Sequence, residues 1–309
     1  MPEPAEQALR WATDAVGGGV RVAAVTGLRE GANPWLLRFE PADRVEAAVL
    51  RLGDPADPEH RRRFGTEVAA LRVAGDHHQL PAARLIATDL DGAAAGALAV
   101  LTTVLPGNSR IPSVASIGRL RGLGAAAAAL QSVPLAPRNA LPLRTSPMAD
   151  VDFAARRREK GTTALLAAAE ERLKRLPVPG GPTVFVHGDL WYGNTLWSGD
   201  RCTGIVDWDS AGAGSPGIDL GGARFDAVLM FGLPAAEQVL EGWQRATGRR
   251  PGQVAYWDVV AASRTLADMA FCVPALHDQG RTDLDAGILG QRRDAFLSTA
   301  LSRLDADGR

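Results

Sequence analysis

Acidic and amide side chains gather in one short stretch of the sequence. His187-Gly188-Asp189 follows an apolar segment, Asn194 lies five residues beyond Asp189, and Asp207 closes the next apolar segment. Hard oxygen donors of this kind suit Mg²⁺, which takes one or two protein carboxylates and fills its shell with water and phosphate oxygens. A carboxylate placed beside a metal-bound phosphate can accept the proton of an alcohol. The stretch therefore predicts phosphoryl transfer to a hydroxyl group.

The metal site follows from a predicted hairpin, in which residues 194–197 and 203–206 form antiparallel strands. If Ser198 faces Thr203 across the turn, Asn194 lies opposite Asp207, with Cβ atoms about 4.5–5.5 Å apart. Asp189 would project into the same space from the preceding loop. Each of these residues alone is more typical of a turn, because Asp and Asn are common turn formers. Their combination at this spacing favours the catalytic interpretation.

A second polar pair precedes this stretch. Arg51 lies on the third predicted strand, residues 45–52, and Glu67 lies on the helix predicted next, residues 58–73. A strand-borne cation that contacts phosphates needs a carboxylate to hold it, and the following helix can supply one. The alternative is that Arg51 is a solvent-facing strand residue.

The elements that position these residues change character along the chain. A glycine tripeptide ends a first helix, residues 5–16, and a proline and a glycine at 106–107 mark the change from strands to helices. The pattern predicts an α+β fold. The predicted strands span residues 20–25, 35–39, 45–52, 85–88, 97–104 and 183–186, and the later helices span 116–132, 153–176, 235–247, 253–272 and 283–304.

The stretch from His187 to Asn194, with Asp207, resembles the catalytic loop and metal-binding aspartate of the aminoglycoside phosphotransferase and choline kinase superfamily. The resemblance covers nearly the whole chain and implies a two-lobed, protein-kinase-like fold. Residues 1–103 would be a nucleotide-binding lobe, an antiparallel sheet with one helix, and residues 104–309 a mainly helical lobe for catalysis and substrate binding. The resemblance implies Asp189 as the catalytic base, Asn194 and Asp207 as Mg²⁺ ligands, and His187 as an orienting residue.

The same resemblance implies how a nucleotide binds. Arg51, held by Glu67, stands where most kinases carry Lys, so a planar guanidinium group replaces a compact ammonium group. Residues 26–33 lack a G-x-G-x-x-G pattern and alone indicate a hairpin turn, but in this family they would cover the phosphates. The backbone at Gly31 and Asn33 would contact the phosphates, and the backbone at Thr102 and Val104 the adenine. The expected cofactors are ATP, with GTP left open, and Mg²⁺.

Asp219 has two interpretations. The resemblance implies that it holds the catalytic loop in place from within the helical lobe. Its position before Leu220 is equally typical of a helix N-cap.

The acceptor is predicted only as a class: an aminoglycoside-like antibiotic or a related hydroxylated metabolite. A role in resistance and a role in metabolism both stay open, as does the oligomeric state. The acceptor pocket should lie in the helical part, although acidic residues there are often solvated and tryptophans often belong to the core. Candidate lining residues are Trp208, Asp209, Asp226, Glu237, Glu241, Trp257, Asp258, Asp268, Asp278 and Asp283.

Composition narrows the possible partners. The net charge of −1 lacks the basic excess of a nucleic-acid binder. The longest apolar stretches are broken by glycine and too short to span a membrane. The two cysteines, Cys202 and Cys272, show neither a disulfide nor a metal-site spacing. We expect a cytoplasmic protein whose partner is a small molecule, with no nucleic acid and no membrane.

Two other functions remain possible on the sequence alone. A catalytically weak or inactive nucleotide-binding protein is favoured only by the arginine at position 51. A metal-dependent phosphoester hydrolase would need further metal ligands at fixed spacings. The other histidines, His60, His77, His78 and His277, form no such pattern.

Overall fold

A computed structural model describes residues 3–29, 32–41 and 45–307, without the side chains of Arg29, Ala32, Asn33 and Asp307. Its contacts divide the chain into two compact units. The first unit holds Met1–Pro106 and Gly204–Asp209, and the second holds Gly107–Thr203 and Ser210–Arg309. No described helix is both long enough and apolar enough to cross a membrane.

The first unit is built on an antiparallel sheet of five strands, in the order β1-β2-β3-β5-β4. One helix precedes the sheet, and a second connects β3 to β4. In chain order the elements are α1 (Glu6–Val16), β1 (Arg21–Arg29), β2 (Ala32–Glu40), β3 (Ala47–Gly53), α2 (Pro58–Gly75), β4 (Leu85–Asp89) and β5 (Leu98–Thr103).

Strand β3 places its side chains alternately on the two faces of the sheet, as a period of two requires. Ala48 and Leu50 are fully buried in a core that also takes in Leu37, Leu101 and Ala12 of α1. Burial of each large aliphatic side chain contributes about 1.5–3 kcal/mol. This core fixes the register of β3, so that Arg51 must point to the opposite face.

Helix α2 begins where its sequence predicts. The Asp57 carboxylate accepts a hydrogen bond from the N–H of Glu59 at 2.8 Å, and Pro58 occupies the first helical position. Phe64, Glu67 and Leu71 follow at helical spacing, and all three are buried. A carboxylate therefore enters the interior on the same helical face as two apolar side chains.

The second unit is mainly helical. It contains a three-stranded sheet in the order β6-β10-β7 and a pair, β8-β9, whose second strand runs across the division between the units. Its helices are α3 (Ile117–Gln131), α4 (Phe153–Lys160), α5 (Ala164–Lys174), α6 (Gly217–Phe231), α7 (Pro234–Thr247), α8 (Val254–Ala262), α9 (Val273–Asp278) and α10 (Ala286–Asp307), and its strands are β6 (Leu143–Arg144), β7 (Val184–Val186), β8 (Thr195–Ser198), β9 (Arg201–Ile205) and β10 (Gly212–Gly214). The predicted α+β class is confirmed.

Helices α3 and α7 approach each other closely because each carries a glycine at the crossing. A Cβ at Gly124 would lie 1.9 Å from the carbonyl oxygen of Val239, and one at Gly242 would lie 2.0 Å from that of Arg121. Neither position has room for a side chain. An ion pair of 2.7 Å between Arg121 and Glu241 joins the same two helices.

The prediction of a single helix over residues 153–176 is wrong. The helix is interrupted at Gly161, whose φ of +97° lies outside the helical region. Thr163 then starts α5, because its side chain accepts a hydrogen bond from the N–H of Leu166 at 3.2 Å.

The predicted helix over residues 253–272 is also wrong beyond Ala262. Arginines from other elements bind the carbonyl groups that follow α8. Arg157 donates to the carbonyls of Ser263 and Thr265 at 2.6 and 2.8 Å, and Arg293 donates to the next two carbonyls in the chain. These bonds replace the ones that a continued helix would have made.

Candidate active site

The loop that follows β7 is held close to the backbone of a later segment. Gly188 adopts a φ of +79°, and a Cβ there would lie 2.3 Å from the carbonyl oxygen of Ser210. Only glycine satisfies both conditions. The glycine in His187-Gly188-Asp189 therefore fixes the direction in which the chain leaves the strand.

Asp219 anchors this loop from helix α6. Its Oδ2 accepts a hydrogen bond from the N–H of His187 at 2.8 Å, and its Oδ1 accepts one from the N–H of Gly188 at 2.9 Å. Asp219 lies inside the first turn of α6, whose N-cap position is Pro216. The N-cap interpretation of Asp219 is therefore wrong, because its carboxylate binds the loop backbone.

The anchor is buried. Asp219 is 3% exposed, and burial raises its pKa above the ordinary value, although His187 and the two backbone hydrogen bonds act in the opposite direction. A buried carboxylate that accepts two amide protons is costly to remove, since both donors would lose their acceptor. The loop is thus fixed through its main chain.

His187 is fully buried. Its Nδ1 accepts a hydrogen bond from the N–H of Asp189 at 3.3 Å. The imidazole therefore holds the main chain of Asp189, the residue predicted to be the base.

Asn194 holds Asp189 from the other side. The Nδ2 group of Asn194 donates to both the carbonyl oxygen and the carboxylate Oδ2 of Asp189, each at 3.0 Å. Asn194 is buried, whereas Asp189 is partly exposed. Because the amide nitrogen is used on Asp189, the amide oxygen is the atom of Asn194 that suits a metal ion.

The predicted hairpin register does not apply to Asn194 and Asp207. Asn194 ends a short 3₁₀ turn, Tyr192–Asn194, so the prediction that it begins the strand is wrong. Asp207 lies two residues beyond the end of β9 and adopts a φ of +65°. Asp tolerates this left-handed conformation better than most residues. Both residues stand at strand ends rather than in a cross-strand pair.

In the first unit, Arg51 is surrounded by three carboxylates. Its Nη1 lies 3.0 Å from Oε2 of Glu67 and donates to Oδ1 of Asp207 at 3.0 Å. Its Nη2 donates to Oδ2 of Asp209 at 3.3 Å. The guanidinium also lies over the ring of Phe64, 5.6 Å from its centre. The Arg51 side chain is only 23% exposed, which contradicts the solvent-facing alternative.

We call Arg51, Glu67, Asp207 and Asp209 the Arg51 cluster. Burial alone would lower the pKa of Arg51, but the three carboxylates raise it above its ordinary value. Burial raises the pKa of Glu67, and the attraction of Arg51 offsets only part of that rise. The cluster holds more acid than base, so a further cation would be attracted to it.

The structure describes only some of the other predicted nucleotide contacts. Thr102 lies in β5, paired with Val49, and Val104 follows the end of β5 with 44% exposure. Gly31 lies outside the described residues. The backbone of Asn33 belongs to β2, but its side chain lies outside the description.

Most candidate acceptor residues turn out to have structural partners. Trp208 and Trp257 are buried in the core. Asp258 forms two hydrogen bonds of 2.9 Å with the buried Arg224. Asp278 is exposed. The remaining acids are paired: Asp209 with Arg51, Glu237 with Arg303, Glu241 with Arg121, Asp268 with the N–H of Ala270, and Asp283 with Arg281.

Asp226 differs from these acids. Within the described residues, its side chain makes no hydrogen bond and no ion pair. It lies on the face of α6 that also carries Asp219 and Gly222, and a Cβ at Gly222 would lie 4.0 Å from the carbonyl oxygen of Leu190 in the loop. Burial, and after it the charge of Asp189, raise the pKa of Asp226 well above 3.8. The spacing from Asp219 was the sequence signal for this placement.

Comparison with known proteins assigns the family. The sequence model of a phosphotransferase enzyme family matches residues 23–262. The chain belongs to this family. The match includes Arg51, the loop after β7 and Asp219. No curated protein sequence matches the chain significantly.

Solved structures of similar fold come from the same kind of enzyme. They include macrolide 2'-phosphotransferase MphH from Brachybacterium faecium, with 20% identity, 96% of this chain and 98% of that chain covered, and a TM-score of 0.60. A protein assigned as a fructosamine-3-kinase, from Thermobifida fusca YX-ER1, has 19% identity, the same coverage of 96% and 98%, and a TM-score of 0.58. A thermostable mutant of aminoglycoside phosphotransferase APH(4)-Ia, in a ternary complex with AMP-PNP and hygromycin B, has 16% identity, coverage of 95% and 98%, and a TM-score of 0.57.

These findings confirm the predicted family and the protein-kinase-like fold. They also confirm the enzyme class, an ATP-dependent phosphotransferase with an alcohol group as acceptor. Membership of this family also implies that the protein uses a nucleotide and a small-molecule substrate. The acceptor itself is not determined, because the similar structures act on chemically different compounds.

Proposed function

We propose that the protein is a small-molecule kinase that transfers the γ-phosphoryl group of ATP to a hydroxyl group of an aminoglycoside-like antibiotic or a related hydroxylated metabolite. The observation that carries the proposal is the loop after β7. There a partly exposed Asp189 carboxylate is held by Asn194 and its main chain by His187. A general base needs this combination of access and fixed position.

Asp189 would act as the base. As the acceptor oxygen attacks the γ-phosphorus, the acceptor O–H bond breaks and its proton passes to the Asp189 carboxylate. The new O–P bond forms while the bond from the γ-phosphorus to the bridging oxygen breaks, and ADP leaves. Asn194 keeps Oδ2 of Asp189 in place, which fixes the position of the carboxylate relative to the acceptor.

Asn194 and Asp207 are the proposed Mg²⁺ ligands. An amide oxygen and a carboxylate fit this hard cation, which takes few protein ligands in kinases. When bound, Mg²⁺ neutralises charge on the transferred phosphoryl group. Arg51, held by Glu67, is proposed to bind the nucleotide phosphates.

The choice of an amine-bearing acceptor rests on Asp226. Asp226 and Asp189 lie on packed elements of the second unit, and each repels the negative charge of the other. An acceptor that carries an ammonium group near its reactive hydroxyl would relieve this repulsion. Aminoglycosides and amino alcohols have that chemistry, and APH(4)-Ia, which has a similar fold, binds hygromycin B.

The two alternatives are less well supported. An inactive nucleotide-binding protein would not need Asp189 to be fixed by two neighbours. A dinuclear phosphoester hydrolase needs several ligands, and no group of three or more His, Cys, Asp or Glu side chains suited to a metal occurs in the described part of the chain.

The direct test is phosphoryl transfer from ATP to a panel of hydroxylated amines and neutral hydroxyl compounds, with product mass as readout. We expect a product heavier by one phosphoryl group, formed only with ATP and Mg²⁺, and preferentially from amines. Asp189→Asn should lower kcat by about 10²–10⁴-fold and leave nucleotide affinity nearly unchanged.

The exposed Asp278 provides the matched control, and Asp278→Asn should keep full activity. Undiminished turnover by Asp189→Asn would refute the assignment of the base. Hydrolysis of a phosphoester without ATP, at a rate above transfer, would establish the hydrolase instead.

A further inference from the structure

The peptide group that joins Gly188 to Asp189 is held at both of its ends. Its carbonyl oxygen, on Gly188, accepts a hydrogen bond from the N–H of Met148 at 2.7 Å. Its N–H, on Asp189, donates to Nδ1 of His187 at 3.3 Å. Asp219 holds only the two preceding peptide groups. The peptide group that directs the Asp189 side chain therefore depends on Met148, which lies outside the loop.

Met148 makes this bond from an unfavourable backbone conformation. Its φ is +45°, in the left-handed region that residues other than glycine, asparagine and aspartate rarely adopt. Such a residue persists only where its surroundings hold it. The N–H of Val151 donates to the carbonyl oxygen of Met148 at 3.0 Å, and a turn closed in this way can form without a left-handed residue. The conformation of Met148 therefore indicates a constraint from outside the turn.

Arg264 supplies this constraint. Its Nη2 donates to the carbonyl oxygen of Met148 at 3.1 Å and also to the carbonyl oxygen of Val151. One nitrogen thus joins the two ends of the turn. The guanidinium lies over the ring of the buried Phe153, 5.2 Å from its centre, and this contact also fixes its plane. Arg264 therefore determines where the turn presents the N–H of Met148.

The charge of Arg264 has no other partner. Among the residues that the structure describes, its side chain makes no ion pair, and its buried Nε makes no hydrogen bond. Its main chain is fixed on both sides, because Arg157 donates to the carbonyls of Ser263 and Thr265 at 2.6 and 2.8 Å. A half-buried cation without a counter-ion is unfavourable. An apolar side chain would fill this place at lower cost, so the donors of Arg264 are what the position requires.

We propose that Arg264 is a positioning residue for phosphoryl transfer, which acts through Met148 on the peptide group before Asp189. This inference rests on the proposed role of Asp189 as the base. By holding the Met148 turn, Arg264 sets the plane of that peptide group and with it the direction of the Asp189 carboxylate. Rotation of the plane would turn the carboxylate away from the attacking hydroxyl group and leave the bonds of Asp219 intact. Alignment of this kind contributes strongly to reaction rates.

The first test measures hydrogen exchange of the backbone amides by NMR of the ¹⁵N-labelled protein. Arg264→Met keeps an unbranched side chain over Phe153 but removes the donors. We expect the Met148 amide to exchange about tenfold faster or more in this variant, because its turn opens more often. The amides of His187 and Gly188, which Asp219 holds, should exchange at the wild-type rate. This readout does not depend on the reaction.

The second test separates kcat from KM. Release of inorganic phosphate from ATP and Mg²⁺, with water as the acceptor, measures transfer without a chosen acceptor compound. Arg264→Met should lower kcat by about tenfold or more and change the KM for ATP by less than about twofold, because a displaced base slows transfer and no nucleotide contact is lost. Arg264→Lys keeps an ammonium group that can donate to both carbonyls, and it should recover most of kcat.

Arg292→Met is the matched control. Arg292 is also half-buried and donates to a main-chain carbonyl, that of Leu229, at 2.7 Å. This variant loses a comparable bond on α10, so it should leave the exchange of the Met148 amide and kcat unchanged. Arg264→Gln, which keeps one donor group, gives the same comparison with a smaller effect if Arg264→Met does not fold.

Three results would overturn the proposal. The first is wild-type exchange of the Met148 amide in Arg264→Met, and the second is faster exchange at Met148, His187 and Gly188 alike, which would indicate general loosening. The third is an unchanged kcat in Arg264→Met while Asp189→Asn lowers kcat. If Asp189→Asn also keeps its kcat, the assignment of the base has failed, whereas the exchange data still report whether Arg264 holds the loop.

Discussion

The Arg51 cluster and the loop after β7 position their polar groups in different ways. In the cluster, one guanidinium is shared among three carboxylates, at 3.0, 3.0 and 3.3 Å. In the loop, Asp219 binds main-chain N–H groups at 2.8 and 2.9 Å. The first arrangement depends on charges between side chains, and the second depends on the backbone.

This difference has a functional consequence. A side-chain cluster can exchange partners when a charged ligand arrives, because its ion pairs redistribute at low cost while charge stays balanced. A backbone anchor cannot, since each amide has one proton and a fixed direction. The Arg51 cluster is therefore suited to rearrange when a charged ligand binds, whereas the loop that carries Asp189 is suited to stay still.

The largest effect is expected from removal of the backbone anchor. Asp219→Ala leaves the N–H groups of His187 and Gly188 without acceptors, at a cost of about 1–3 kcal/mol for each buried group. Displacement of Asp189 by about 1 Å would lower kcat by roughly 10²-fold. Thermal unfolding and initial rates measure the two losses.

The exposed Asp278 is again the control, and Asp278→Ala should change neither quantity. Asp219→Asn can still accept one of the two hydrogen bonds and should fall between Asp219→Ala and the wild type. Full activity in Asp219→Ala would show that the loop keeps its conformation without Asp219. The proposed difference between the Arg51 cluster and the backbone-anchored loop would then be refuted.

The next largest effect is expected in the Arg51 cluster. Asp207→Asn removes a charge from the proposed Mg²⁺ site and from Arg51 together. Affinity for ATP should fall in the presence of Mg²⁺ and change little without it, as measured by calorimetry. An equal loss under both conditions would indicate that Asp207 acts only through Arg51.

Arg51→Lys tests how much the planar guanidinium group contributes to the use of ATP. Lys keeps the charge but offers a single ammonium, which cannot reach Asp207 and Asp209 with two separate nitrogens. We expect the KM for ATP to change by about threefold, kcat to change less, and Arg51→Ala to show a larger effect on KM. If Arg51→Lys has unaltered kinetics, the bidentate geometry is not needed.

Much of the fold could be predicted because the local signals agreed with one another. Strand β3 alternates, Asp57 and Pro58 mark the start of α2, and both elements lie close to their predicted positions. The error after Ala262 arose where distant residues replace local bonds. Arg157 and Arg293 donate hydrogen bonds to the carbonyl groups after α8. No sequence pattern near Ala262 predicts these bonds.

The candidate site divides in the same way. The loop from His187 to Asn194 carries a local motif, so its residues could be named from the sequence. Two of the three partners of Arg51 could not be named as such, because Asp207 and Asp209 reach it across 156 and 158 residues of sequence. Asp226 was one of eight candidate acids. The structure shows that, among those acids that are not exposed, it alone has no side-chain partner in the described residues.

The smallest effect concerns stability and follows from Asp226. Its pKa lies well above 3.8 in the folded protein, so the folded state keeps its proton at pH values where the unfolded state has lost it. The free energy of unfolding must therefore fall as the pH rises from about 3.8 through the raised pKa. Asp226→Asn removes this titration, so the variant should gain roughly 2 °C in melting temperature at pH 7.

At pH 4 the carboxyl of Asp226 is largely neutral in the folded protein, and the variant and the wild type should melt together. Asp278→Asn, at an exposed position, should follow the wild type throughout. Melting curves recorded from pH 4 to pH 8 separate these outcomes. If Asp226→Asn and the wild type show parallel curves, Asp226 does not bear a buried charge, and the basis for an ammonium-bearing acceptor is lost with it.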